Sequence, residues 1–330
     1  MSARVALRLA ILALAVLLAL VASMGFGAAD IPVPEVMRAI GGRGDETTRT
    51  IVMELRLPRA LLAFLVGGAL GLAGATLQAL LRNPLAEPFL LGVSSGAAVG
   101  AVAAVVLGWS ALAAWTLPVA AFLGALLATF LVLFVASRTG RGLDTRVLLL
   151  GGVVIGMFFN AVILLVLTFA SAETFRSAIF WMMGSLAAAD WGAAVLLTGY
   201  TVPAVAVLVL MARPLNALSV GEETALYLGV RVERVKLAAY ILSSLLVAAA
   251  VAVSGVIGFV GLIIPHAIRL VWGSDHRMLL PASIFAGGGF LVIADTVARS
   301  AAGPSELPVG VITALVGVPL FVLLLIRRKA

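Results

Sequence analysis

The sequence predicts an all-α, polytopic membrane protein, and three observations carry that reading. Of the 330 residues, 63% are hydrophobic and 11% are charged, whereas a soluble domain carries about 25% charged residues to face water all round. Apolar runs close to the roughly 20 residues that a helix needs to cross a bilayer recur along the whole chain. Basic residues gather at the ends of those runs, and 20 of the 22 are arginine. Despite the net charge of +7, that placement suits membrane anchoring and not a groove tracking nucleic acid. The chain has no cysteine, which excludes disulfides, thiolate metal sites and cysteine nucleophiles.

The first run, from Val5 to Gly27, is longer than a signal-peptide core and reads as a retained span. Ten spans fit the pattern, at 5–27, 58–81, 88–108, 112–137, 145–169, 191–211, 237–254, 256–272, 279–298 and 308–326. The second opens on RLPR, where Arg56 and Arg59 bracket Pro58. Between spans five and six, FRSAIFWMMGSL (175–186) is too short to cross and predicts a surface or re-entrant helix. The uncharged stretch from Ala238 onward is too long for one crossing, and Ser254-Gly255 is its natural turn. Gly67/Gly71, Gly96/Gly100 and Gly152/Gly156 are each spaced four apart. Each pair marks a small-residue face on which helix backbones approach closely.

An even number of spans puts both termini on one side. With the N-terminus inside, the inner segments hold fifteen Lys/Arg and the outer segments seven, so both termini are predicted to be cytoplasmic. The longest inner connection is RPLNALSVGEETALYLGVRVERVK, 213–236. Its Ser219 and Glu222 have the S-x-x-E spacing of a capping box, and Gly229 suits a helix end. A helix of two or three turns is marginal alone in water and must pack on something. Two readings stand open from these residues: an interfacial helix on lipid headgroups, or a docking helix for a soluble partner.

The chain lacks a GxxxxGK[ST] loop, so ATP hydrolysis by this polypeptide is not expected, nor is any catalytic residue. His266 and His276 have no neighbours at metal-ligand spacing, and no metal site is predicted. Span interiors are almost free of acids, with Asp295 and Asp190 nearest. That disfavours an ion-coupled secondary transporter, which stays as the alternative from another class.

Several segments together resemble a known family. LRLPRALLAFLVGGALGLAGATLQALLRNPLAEPFLLGVSSGAAVGA (55–101), GFVGLIIPHAIRL (258–270), DHRMLLP (275–281) and ELPVGVITALVGVPLF (306–321) resemble the FecCD permeases. These are membrane subunits of type II ATP-binding cassette importers of iron chelates and cobalamin. The resemblance implies the type II importer permease fold over a single transmembrane domain, 1–330, in the bacterial inner membrane. It implies a homodimer in lipid with the path at its axis, two cytoplasmic ATPase subunits that use ATP and Mg, and a periplasmic substrate-binding protein. No cofactor is expected on this chain itself.

By the same resemblance, a coupling helix lies within 215–230, with Leu218, Ser219, Gly221, Glu222, Ala225, Leu228 and Gly229 facing the ATPase. Asn83 and Leu85 of NPLAEP, with Asp144 and Thr145, match the cytoplasmic gate. Arg56, Arg59 and Arg299 match an outer basic rim that docks the binding protein. Arg176 resembles a basic residue at the mouth of haem permeases. Haem is the foremost expected cargo, with a ferric siderophore or cobalamin as alternatives.

Overall fold

The computed structural model describes residues 3–27, 30–139, 143–301 and 306–327. It is all helical over these residues, and ten of the helices coincide with the ten predicted crossings: α1 (Ala3–Gly25), α4 (Leu57–Leu80), α5 (Val93–Val106), α6 (Thr116–Arg138), α7 (Thr145–Thr168), α9 (Trp191–Leu210), α12 (Val232–Ser254), α13 (Val260–Trp272), α14 (His276–Ser300) and α15 (Val309–Arg327). Seven are long and apolar enough to span a bilayer; the other three, α5, α13 and α15, are shorter apolar helices. The lesser helices are α2 (Val33–Ile40) and α3 (Glu46–Thr50) on the outer side, α8 (Ala172–Met182), and the inner pair α10 (Ala212–Val220) and α11 (Glu222–Tyr227). Inner and outer name the two sides as the charge asymmetry of the sequence predicts them.

Burial ranks the helices. The apolar core of α4 is 83% buried and that of α1 only 6%, so α4 is the central post and α1 a peripheral one. Against α4 pack α14, α12, α13 and α9. Glycines make these contacts close. A Cβ on Gly67 or Gly71 would collide with the carbonyls of Gly287 and Ser283 on α14. A Cβ on Gly96 would lie 2.6 Å from that of Ala128 on α6. The first two predicted small-residue faces are therefore helix contacts, with Gly287 and Gly124 across the interface, whereas Gly152 meets the backbone of Leu90 and Leu91, outside the spanning helices.

The boundaries that shifted have backbone causes. The third apolar segment opens at 88 as a 3₁₀ turn, Pro88–Leu91, and not as an α-helix; Gly92 follows at φ +75°, and α5 starts only at Val93. The 254–259 turn is real: Gly255 has φ +65°, and Phe259 at φ +68° opens α13. Non-helical backbone at membrane depth must find partners within the protein. It does so here, because the Phe259 amide donates to Glu87 Oε1 at 2.6 Å and Ser185 N donates to Ser254 O at 2.8 Å.

Before α4, residues Ile51–Arg56 form a π-helical segment, so a helical run extends from Glu46 to Leu80. Pro58 has no amide proton and its ring crowds the carbonyl four residues back, which favours a widened turn there. The RLPR arginines thus leave the helix at an irregular point.

Candidate functional site

At the inner end, α4 stops at Leu81 because Arg82 adopts φ +47°. Asn83 N then donates to Gln78 O and Arg82 N to Ala79 O, the paired bonds of a Schellman close. Position 82 usually belongs to glycine in that motif, since a Cβ there costs about 1 kcal/mol. Asn83 Oδ1 accepts from Leu85 N at 2.9 Å, which folds NPLAEP back on itself. Gln78 ties the returning chain in place: its Nε2 donates to the carbonyls of Ala86, Gly261 and Leu262 at 3.2 to 3.3 Å, and its Oε1 accepts from Arg269.

Three of the four predicted gate residues, Asn83, Asp144 and Thr145, line a cavity of about 650 Å³ on this face together with Arg82, Glu222 and Lys236, whereas Leu85 is not part of its lining. Asp144 is the N-cap of α7, accepting from Arg146 N at 2.7 Å. That bond holds its carboxyl below the ordinary carboxylate value. Leu85 stands 40% exposed nearby in sequence.

The inner connection is two helices and not one. Ser219 lies inside α10 and its Oγ donates to Asn216 O at 2.8 Å, so the expected capping box is not formed. Gly221, with an extended backbone, starts α11 without a side-chain cap. The reason lies in charge. Glu222 is drawn to Lys236 Nζ, at 3.1 and 3.2 Å, and to Arg82 Nη2 at 3.3 Å. Lys236 is 1% exposed at the foot of α12, and a buried ammonium requires such a partner. The far end of α11 matches expectation: Gly229 has φ +78°, and Val230 N bonds Ala225 O. Leu218 and Ala225 are buried, whereas Leu226, Tyr227 and Leu228 are 59%, 92% and 68% exposed.

A second clamp holds α10. Asn216 Nδ2 donates to Asp275 Oδ1 at 2.8 Å, and its Oδ1 accepts from His276 N at 2.9 Å and lies 2.6 Å from His276 Nδ1. The Asn216 amide, foremost, keeps Asp275 below the ordinary carboxylate value. Asp275 is also the N-cap of α14.

At the outer end, the three arginines implied to form a rim are turned inward. Arg59 donates through Nε and Nη2 to Asp295 at 2.9 to 3.1 Å, and through Nη1 to Glu306 at 2.9 Å. The side chains of Arg59 and Asp295 are 12% and 3% exposed. Arg299 Nε lies 3.8 Å from Asp295, and its Nη2 donates to Ser23 O. Arg56 Nη1 donates to Met24 O at 2.5 Å. Two arginines thus bind the last carbonyls of α1, where the helix dipole favours cations. Asp295, the acid nearest a span interior, is neutralised by guanidinium groups. Arg176 is exposed on α8 and sits over the ring of Phe180 at 5.6 Å.

Beneath α8 lies a cavity of about 630 Å³, lined by Met182, Met183, Val256, Phe259, Val311 and Leu315 among others. Sequence reasoning singled out neither Arg82, Lys236, Asn216 nor Glu87. A lone lysine at the start of a span in an arginine-dominated chain was the available signal for Lys236.

Residues 14–327 match the FecCD transport family. The chain is 48% identical to the cobalamin import system permease of Halobacterium salinarum, over 86% of this chain and 75% of that one. It is 43% identical to the hemin transport system permease of Yersinia pestis, over 84% of each. A solved structure described as an inward-facing conformation of a metal-chelate type ABC transporter superposes with a TM-score of 0.87 at 33% identity, covering 97% of this chain and 98% of that one.

Proposed function

The chain belongs to the FecCD transport family, and from that premise we propose that it is the permease subunit of an ATP-binding cassette importer whose cargo is a metal-bearing tetrapyrrole. It works in the bacterial inner membrane as a homodimer, with both termini cytoplasmic. Two cytoplasmic ATPase subunits supply the hydrolysis, and a periplasmic binding protein delivers the cargo.

The observation that carries the ATPase reading is α11. It is a six-residue helix whose Leu226 and Tyr227, with Leu228 just beyond its end, project from the inner face while Glu222 anchors its root. A short helix with three protruding side chains at its end suits insertion into a protein cleft, where burying a tyrosine and two leucines contributes several kcal/mol in total. The cavity beneath α8, apolar and open at the side, suits one wall of a path that a second copy completes.

The sequence expectation of haem is widened to haem or cobalamin. Relatives named for each share comparable identity with this chain. Arg176, the one feature read toward haem propionates, lies against Phe180, a contact that an ordinary helix-anchored cation makes equally well. Docking of a binding protein through Arg56, Arg59 and Arg299 requires acids of that partner to compete with Asp295 and the α1 carbonyls for these groups.

Reconstituted with its ATPase and binding protein, the chain should accumulate either haemin or cyanocobalamin in vesicles, with ATP and sensitive to vanadate. Accumulation with no ATPase present refutes the importer reading. Transport of neither macrocycle, with a siderophore carried instead, refutes the cargo.

A further inference from the structure

We propose that Glu222 and Arg82 form the mechanical link between the coupling helix and the gate loop, so that α11, the foot of α12 and the NPLAEP turn move as one body. This rests on the reading of α11 as the ATPase-docking helix. The geometry has three parts. Glu222, the first residue of α11, contacts Lys236 on α12 and Arg82 at the end of α4 at the same time. Arg82 immediately precedes Asn83, whose side chain folds the gate loop. All three charges border the cavity that also holds Asp144 and Thr145.

The second, independent observation is backbone strain. Arg82 sits at φ +47°, the left-handed position that glycine or asparagine fills in most helix closes. Strain that persists at one residue points to a task for that side chain. The Arg82 side chain is 43% exposed, so core packing does not demand it. Its reach across to Glu222 is the interaction the position provides.

Roles differ among the three. Lys236, almost wholly buried, keeps Glu222 in place even without Arg82. Arg82 alone carries the connection from Glu222 to the loop. The α10 clamp, Asn216 to Asp275 and His276, fixes the opposite end of the connection to α14. A push on α11 therefore has two outlets, toward α14 and toward the gate, and Arg82 opens the second.

Arg82→Gly separates this role from a structural one, because it removes the side chain and relieves the strain together. The chain has no cysteine, so Leu85→Cys places a single thiol in the gate loop. In the complex with its ATPase, the rate at which a maleimide labels that thiol is measured with and without ATP plus vanadate. Arg82→Gly should copurify with the ATPase and melt no lower than the parent, yet its nucleotide-dependent change in labelling should shrink by about fivefold or more. Arg82→Lys should restore part of the response. A response undiminished in Arg82→Gly overturns the link. Failure of the ATPase to copurify with the unaltered chain overturns the docking reading beneath it, and is seen before any variant is made.

Discussion

Replacing Asp295 by asparagine removes the one negative charge that Arg59 and Arg299 share, and the structure sets the size of the effect. Asp295 is 3% exposed and takes two arms of Arg59 at 2.9 to 3.1 Å, while Arg299 lies 3.8 Å away. Breaking a buried pair by removing one partner costs about 3 to 5 kcal/mol. Arg59 keeps Glu306, but that acid is 41% exposed and its contact contributes about 1 kcal/mol or less. A double-mutant cycle on denaturant unfolding in detergent, with Arg59→Met and Asp295→Asn, should give a coupling energy of about 3 kcal/mol. The matching cycle with Glu306→Gln should stay near 1 or below. Equal couplings to the two acids, or less than about 1 kcal/mol to Asp295, refute the picture of Arg59 as an interior lock between α4 and α14. The same geometry undoes a simpler test: Arg59→Glu sets a third acid beside Asp295 and Glu306, so lost docking cannot be separated from lost folding.

Asn216→Ala leaves Asp275 and the His276 amide without their shared partner, and should lower stability by about 1 to 3 kcal/mol in thermal melts. Gly96→Ala drives a methyl into α6 against Gly124 O and the Ala128 Cβ; it should cost about 1 to 3 kcal/mol, read from the same melts. Asp275 caps α14 with its carboxyl held below the ordinary value of 3.8. A depressed carboxylate stabilises fully above that value and loses its contribution as pH falls through the folded one. The gap between the parent chain and Asp275→Ala should therefore be about 1 to 2 kcal/mol near neutrality and narrow only as the pH falls below 3.8.

Hydropathy located the seven helices long enough to span a bilayer and the three shorter apolar ones, because apolar runs mark segments that face lipid, and the Ser254-Gly255 break was visible as an uncharged run too long for one passage. Where the prediction erred, distant charges or irregular backbone decided. Ser219 and Glu222 have capping-box spacing, but Glu222 is recruited by Lys236 on the next span and by Arg82, 140 residues earlier. Local spacing carries no record of such pairs. Arg59 reads as an exposed rim cation until Asp295, 236 residues on, is seen against it. The start of α5 moved because Pro88 and the left-handed Gly92 bring the chain partway into the bilayer without an α-helix. The glycine pairs were legible as close-packing faces, but not which helices they would meet. The family resemblance is what pointed to the gate and coupling segments. Only the fold placed Asn83, Asp144, Thr145 and Glu222 around one cavity.

The central claim is that this polypeptide receives mechanical work through α11, and its exposed tyrosine permits the most direct measurement. A photoreactive amino acid at Tyr227, which is 92% exposed, should on irradiation in native membranes yield a covalent adduct with a nucleotide-hydrolysing subunit. Adducts with phospholipid alone, and none with such a subunit, contradict it.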